Sequence, residues 1–485
     1  MTVVGGEGAN MTTGLVYFIK AFVGPGCLSL PLAFQNCGVV LGSSLLLLTS
    51  VLVTFNLRTM VLCKQHLAYK GIRTYADLTR EALGETARRL VELFINGVQL
   101  GICAVYFDFF AENARALVPH LLPRKGALYI LMAVIFPVYA SLALLRSVDA
   151  IAPYAALANA LVYVAIGIVM FAAVATIHHN YWGGGRVDDH LAMADPKKMP
   201  LFYSTVVYSF EGVCSLLPVE NALARPLEDM PKVMYVGMLV VTLTYGSVGT
   251  ISYLAWPGVT SGSITAEVSK RASGASFAAK LPSLVANVAT IVAVVLTFPV
   301  QLFPSIELLE KTVGFSSAAG KSKRSTTETE YAPARDAEVG IEMMMTPVKV
   351  IDPEEESKDD DAITDPHKDE PREDDEADPS PLKETPPLKR AAFRVSIVVG
   401  VGLVAALVPD LGALIDLIGA LTGSALSLVV PALIDIKCPR PGRQRWELYV
   451  DIFVLLVGLV GAVAGTIQAV QNALGTDDPT PSAPS

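Results

Sequence analysis

The run Gly24-Pro25-Gly26-Cys27-Leu28-Ser29-Leu30-Pro31 lies in the middle of an apolar stretch, residues 13–36, that is long enough to cross a bilayer. Proline removes a backbone donor and glycine has no helical preference, so a helix drawn through this run is expected to unwind. Residues 200–222 repeat the idea with Phe210-Glu211-Gly212-Val213-Cys214-Ser215-Leu216-Leu217-Pro218. Taken alone, each run reads equally well as a plain kink or a close helix crossing. As a matched pair they point to inverted repeats, with a binding site at the membrane midplane between two broken helices.

Outward from these two runs, the chain of 485 residues is 52% hydrophobic and 17% charged, too apolar for water to be its main solvent. Eleven stretches are apolar enough to span a bilayer: 13–36, 38–62, 89–117, 126–145, 150–175, 200–222, 231–256, 282–309, 391–409, 411–434 and 447–471. Lipid offers the backbone no hydrogen-bond partner, so each is expected to be a helix. The fold expected is an all-α membrane protein of eleven transmembrane helices, arranged as five, five and one extra, with spans 1 and 6 broken. Counting Lys and Arg in the short connections gives thirteen on the side of the N-terminus and nine on the other. That bias predicts a cytosolic N-terminus and a non-cytosolic C-terminus. Trp256 and Trp446 are expected to anchor helix ends at the interface.

Charge is concentrated in one place. Residues 313–390 hold 21 Asp/Glu against 11 Lys/Arg, while the whole chain has a net charge of -9. With its prolines and few aromatics this block is expected to be a disordered acidic cytosolic insert between spans 8 and 9. Ser325, Thr326, Thr327 and Thr329 within it are candidate phosphorylation sites for cytosolic kinases or partners. The organisation is therefore a short cytosolic tail (1–12), spans 1–8 (13–312), the insert (313–390), spans 9–11 (391–471) and a non-cytosolic tail (472–485). No basic stripe marks a nucleic-acid surface. The six cysteines lie in or beside apolar runs and read as packing residues, and neither a cofactor nor a bound metal is expected.

Unwinding has a chemical use. Freed N–H groups at a half-helix start can hold a carboxylate, and freed carbonyls can face an ammonium group or a cation. An α-amino acid carries both charges. Such a pairing of charges is expected to find its partners between the two breaks. A charge within a membrane helix is costly and tends to face the bundle interior. Glu211 is thus a candidate proton carrier, the alternative being a carboxylate that caps freed backbone donors. Asp108 and Glu112, four apart in span 3, share a helical face and either line the path or bond a neighbouring helix. Glu220 is expected to meet Arg225, Lys20 to snorkel to the cytosolic interface, and Asp416 has no assigned partner. A sodium site would draw on Thr290 and Thr297 of span 8.

These residues resemble a known family. The run from Gly24 to Phe34 with Asn36, Gly38 and Gly42, the loop Tyr75-Ala76-Asp77-Leu78-Thr79 with Ala82-Leu83-Gly84, Ala111-Glu112-Asn113, the span 6 run through Pro218-Val219-Glu220-Asn221, and Gly419-Ala420 through Pro431 are together similar to the amino acid/auxin permease family. The likeness is greatest to its proton-coupled amino acid transporter branch and covers nearly all of the chain outside the insert and tails. It implies a LeuT-like fold, a substrate pocket formed by Gly24, Pro25, Gly26 and Cys27 in span 1 with Phe210, Glu211 and Gly212 in span 6, and uptake of small neutral amino acids by symport with a cation. The chain departs from the family at Pro25, which has no N–H to offer a carboxylate. It departs again at Tyr17, the position where the branch often has a histidine, so Tyr17 joins the coupling candidates. The function expected is proton symport at the plasma membrane or a lysosomal or vacuolar membrane. A sensor that binds amino acid in the same pocket and signals through the insert is the alternative, as is sodium coupling. No enzyme motif is present.

Overall fold

The computed structural model describes residues 9–67, 70–118, 126–145, 152–182, 193–274, 276–315, 387–408, 410–438, 440 and 442–474. Among them there is no strand beyond a single bridge between Ala9 and Leu223. The acidic block and its phosphorylation candidates lie almost wholly outside the described residues, as does the end of the C-terminal tail.

Every apolar stretch is helical. Span 1 comprises Met11–Phe22 and Pro25–Cys37, bent by 48°. Spans 2 and 3 are Val39–His66 and Glu85–Leu117, span 4 is Ala127–Ala143 and span 5 is Ala152–Trp182. Span 6 comprises Met199–Ser209, Glu211–Ser215 and Leu216–Ala222, and span 7 is Pro226–Ala255. Span 8 is Phe277–Thr312, span 9 Pro387–Leu407, span 10 Leu411–Lys437 and span 11 Arg445–Ala473. Eight of these helices are long and apolar enough to cross a membrane, nine with the bent pair of span 1. The other two fall short for local reasons: span 4 has 17 residues, and span 6 is cut at Phe210. Two short helices flank the bundle, Tyr75–Leu83 after span 2 and Ile264–Arg271 after span 7.

Helix starts follow their caps. Thr74 and Asp77 form a reciprocal capping box, as do Gln444 and Glu447, and the Asp410 carboxylate accepts the Ala413 N–H at 2.8 Å. Packing follows a rule of five. Span 3 lies against span 8 and span 4 against span 9; span 5 packs on span 8 as span 10 packs on span 3; span 9 touches span 3 as span 4 touches span 8. Exchanging spans 3, 4 and 5 with spans 8, 9 and 10 maps this set onto itself, as two structurally similar halves require. Span 11 stands outside the rule, packed on spans 6 and 10.

Two faces are held differently. On the face of Ala9, Arg58 of span 2 pairs with Glu447 of span 11 (3.0 Å), and Arg440 pairs with both Glu447 (3.0 Å) and Asp435 of span 10 (2.8 Å). Arg443 joins Asp435 to Asp451. On the same face Glu220 meets Lys64 at 3.2 Å and Gln65, not Arg225, whose partners are its own-helix neighbours Glu228 and Asp229. Nearness in sequence misled the expectation, because span 6 ends beside span 2. The opposite face is closed by residues 256–263. Gln35 accepts the Gly258 N–H (2.7 Å), Ser29 donates to the Gly262 carbonyl (2.6 Å) and Ser261 donates to Glu112. Trp256 is buried in this loop and is not an interfacial anchor, whereas Trp446 is half exposed.

Candidate functional site

The local chemistry of both breaks is visible in the backbone. Span 1 stops at Phe22, passes through an extended Gly24 and resumes as a tight 3₁₀ turn from Pro25 to Ser29 before Leu30 restarts the α-helix. Span 6 stops at Ser209 and makes the same kind of turn from Glu211 to Ser215. The breaks meet each other. A Cβ on Gly212 would lie 2.8 Å from the Ala21 carbonyl oxygen and 2.8 Å from the Phe22 ring, so only glycine allows span 6 to cross span 1 here. A Cβ on Gly26 would meet the Tyr208 ring at 2.8 Å, whereas one on Gly24 would meet nothing within 4 Å.

Between the breaks lies a cavity of about 120 Å³. Spans 1 and 6 contribute Gly24, Pro25, Gly26, Cys27, Glu211 and Gly212, together with Lys20 and Tyr208. Gln99 and Tyr106 come from span 3, Asn159 from span 5, and Thr297 and Gln301 from span 8. Phe210, expected here, is instead buried in the core with its ring against Tyr245. The Glu211 carboxylate accepts a long hydrogen bond from Gln301 at 3.4 Å.

Not all of the freed carbonyls face the cavity. The Tyr245 hydroxyl of span 7 lies 2.7 Å from the Phe22 carbonyl and 2.6 Å from the Ser209 carbonyl, the last residues of the two first half-helices. Ser427 of span 10 donates to the Phe210 carbonyl at 3.4 Å. One fully buried tyrosine therefore ties both broken ends together. The sequence carries no local sign of it, because Tyr245 sits in an uninterrupted helix. Gln99 and Gln301, polar residues in apolar spans, were the readable signal for the cavity wall that sequence reasoning passed over.

The other candidates are placed elsewhere. Asp108 and Glu112 do not line the cavity; they sit toward the face closed by residues 256–263, where Glu112 accepts from Ser261. Tyr17 is buried in the helix packing away from the cavity. Thr297 lines the cavity and Thr290 does not, and both hydroxyls donate to their own helix four residues back, to Ala293 and Ala286. Asp416 has a partner after all, the Thr205 hydroxyl of span 6. Lys20 is among the residues that line the cavity.

Span 10 is wound as a wide π-helix from Gly419 to Gly423 and again from Ala425 to Val429. A Cβ on Gly419 would lie 2.1 Å from the Ser204 carbonyl, so this winding seats span 10 against the first half of span 6.

A model of the transmembrane amino acid transporter protein family matches residues 7–471. Among characterised proteins, the chain is 26% identical over 318 residues to vacuolar amino acid transporter 3 of Schizosaccharomyces pombe, covering 65% of this chain and 45% of that one. It is 22% identical over 474 residues to amino acid transporter ANT1 of Arabidopsis thaliana, covering 96% and 93%. The chain thus spans under half the length of the first relative and nearly all of the second. Two crystal structures of the Eremococcus coleocola manganese transporter align with 99% of the chain and 92% of theirs, at 12% and 13% identity and TM-scores of 0.48 and 0.49. With two broken helices enclosing a polar cavity in a multi-pass helical bundle, and a family match that runs almost end to end, the chain belongs to the transmembrane amino acid transporter family.

Proposed function

We propose that the protein moves small neutral amino acids across a membrane together with a proton, by alternating access around the cavity between spans 1 and 6. The observation that carries this reading is Glu211. It stands at the break of span 6, lines the cavity and holds only a long hydrogen bond from Gln301. A carboxylate so placed can exchange a proton with the cavity and can face the ammonium group of a substrate. The small volume of the cavity supports a short side chain, and the space beside Gly24 leaves its backbone approachable by a substrate carboxylate.

Proton coupling is preferred to sodium because only one of the two threonines of span 8 reaches the cavity, whereas the Glu211 carboxylate lines it. The reading takes all eleven helical segments as membrane-crossing, with the Ala9 face cytosolic and the C-terminus non-cytosolic. The name of the Schizosaccharomyces pombe relative supports a vacuolar membrane, and the reading keeps the lysosomal and plasma membranes beside it. The block at 313–390 is read as a cytosolic segment open to kinases.

Purified protein in liposomes with an imposed pH gradient is expected to accumulate labelled alanine, serine or glycine. Glu211→Gln is expected to remove the acceleration by acid while leaving folding intact. Saturable binding without accumulation sinks the transport reading in favour of a sensor. Unchanged acceleration by acid in Glu211→Gln removes the role given to that residue.

A further inference from the structure

Asp108 is the one carboxylate in the described interior with both oxygens buried and neither hydrogen-bonded; its side chain is 1% exposed. Other buried acids are compensated. Asp416 has Thr205, Glu310 has Arg390 and Arg394, and Asp435 has Arg440 and Arg443. The charges that bear on Asp108 through space make its position worse, since they are Glu112 one turn along span 3 and Asp410 at the start of span 10. Asp410 bears on Glu112 and Asp416 as well.

No neighbouring element offsets this. The Ile264–Arg271 helix brings Glu267 and the exposed Lys270 near Glu112, and its Arg271 is held by Glu267 at 2.8 Å. Span 4 contributes the Tyr139 hydroxyl, which donates to the Tyr106 carbonyl. Span 8 carries its charges toward its ends, Lys280 near one and Glu307 and Glu310 near the other, and span 9 has only Lys389, Arg390 and Arg394 near its start. A buried, unpaired carboxylate beside two others is unstable as an anion and calls for a cation on the site.

What lies over the cluster is the closing loop. Ser261 donates to Glu112, and Ser263 and Thr265 both donate to Asn113, the next residue of span 3 (3.2 and 2.7 Å). A Cβ on Gly262 would lie 2.7 Å from the Leu411 side chain and 2.9 Å from the Gly412 nitrogen, directly after Asp410. The loop therefore rests on both helices that supply the carboxylates.

We propose that Asp108, Glu112 and Asp410 form a proton-binding site separate from Glu211, and that a proton taken there from the solvent of that face holds residues 256–263 shut. With Asp108 neutral, Glu112 keeps its charge for Ser261 and the loop packs down. With Asp108 charged, repulsion among the three carboxylates and the pull of water on them favour the lifted loop. The proton thus closes this face while the opposite face gives access to the cavity. This rests on the alternating-access reading above and adds to it a gate with its own proton.

The test uses the full chain in liposomes at equal pH on both sides, with no substrate. Val259, 3% exposed within the loop, is replaced in Val259→Cys, and the exposed neighbour in Thr260→Cys serves as the reactivity standard. The rate of labelling by a membrane-impermeant maleimide at the first position, divided by that at the second, is expected to fall by about fivefold or more from about pH 7.5 to about pH 5.5. Adding Asp108→Asn is expected to fix the ratio at its low value at both pH values. Adding Glu112→Gln instead is expected to move the midpoint to lower pH, and this variant decides the matter if the first does not fold. A ratio that ignores pH in the parent, or a pH response unchanged by either variant, overturns the proposal. So does a ratio that changes at fixed pH when sodium replaces choline, which identifies a metal cation as the occupant. Because labelling needs no transport, its failure leaves the uptake reading intact, and failure of uptake leaves the labelling result standing.

Discussion

The two faces of the bundle are closed by opposite means. On the Ala9 face, three arginines and three carboxylates alternate from span 2 through span 10 to span 11, each charge answered by another. On the other face Arg271 donates to the Pro257 and Gly258 carbonyls at one end of the loop, and side-chain hydroxyl and amide groups hold the rest of it over Asp108, which has no cation of its own. The first arrangement answers each charge with an opposite one, and its loss is expensive. The second is cheap to open and sensitive to charge. A molecule built this way has a fixed scaffold joining spans 10 and 11 at one end and a responsive cover at the other.

The largest effect is expected where the scaffold is cut. Asp435→Ala removes the buried carboxylate shared by Arg440 and Arg443 and is expected to cost about 3–5 kcal/mol, read as a large drop in the thermal midpoint of the purified protein. A loss under about 1 kcal/mol would mean that the ionic chain is ornament and the contrast between the faces false. Next comes the pivot between the faces. Gly212→Ala is expected to cost about 1–3 kcal/mol and to abolish uptake, because backbone and ring both stand in the way of the new methyl group. Gly24→Ala meets no neighbour, so its thermal midpoint is expected to stay close to the parent's while any change falls on substrate affinity. Equal destabilisation by the two would dissolve the distinction between a crossing point and a cavity wall.

On the covered face, Ser29→Ala removes one neutral hydrogen bond to the Gly262 carbonyl and is expected to cost about 1 kcal/mol while raising the labelling rate at Val259→Cys. The smallest effect belongs to the surface of the Ala9 face. The hydrogen bond from Lys70 at 2.7 Å holds the Glu81 carboxyl below its ordinary pKa. That contribution is present above the ordinary carboxylate range and is lost as the pH falls through the lowered folded value. Glu81→Gln is therefore expected to cost less than about 1 kcal/mol at neutral pH and nothing in strong acid, as measured by thermal unfolding across pH.

What could be read from the sequence was what is written locally. Proline and glycine act on their own backbone, so the breaks at Gly24–Gly26 and at Phe210–Gly212 announced themselves, and with them most of the cavity. Long apolar runs announced the helices. Features that depend on two distant parts of the chain did not show. Tyr245 caps carbonyls from spans 1 and 6, and nothing in its own neighbourhood marks it. The π-winding of span 10 coincides with the close approach of Gly419 to Ser204, a contact between distant parts of the chain. Glu220 was matched to Arg225 because five residues is near in sequence, while the real partner Lys64 is far along the chain and near in space. Charge pairing, in this protein, is a tertiary property.

Glu310 at the end of span 8 grips both Arg390 and Arg394 at the start of span 9, and Arg394 also donates to the Ala143 and Leu145 carbonyls at the end of span 4. The end of span 8 and the start of span 9 are therefore riveted to each other, with 71 residues of sequence, 316–386, between them. Because lengthening a closed loop adds only slowly to its closure entropy, sequence can be added between those two ends at little cost to the bundle. The rivet makes this junction the place to cut or graft sequence with the least disturbance to the helices.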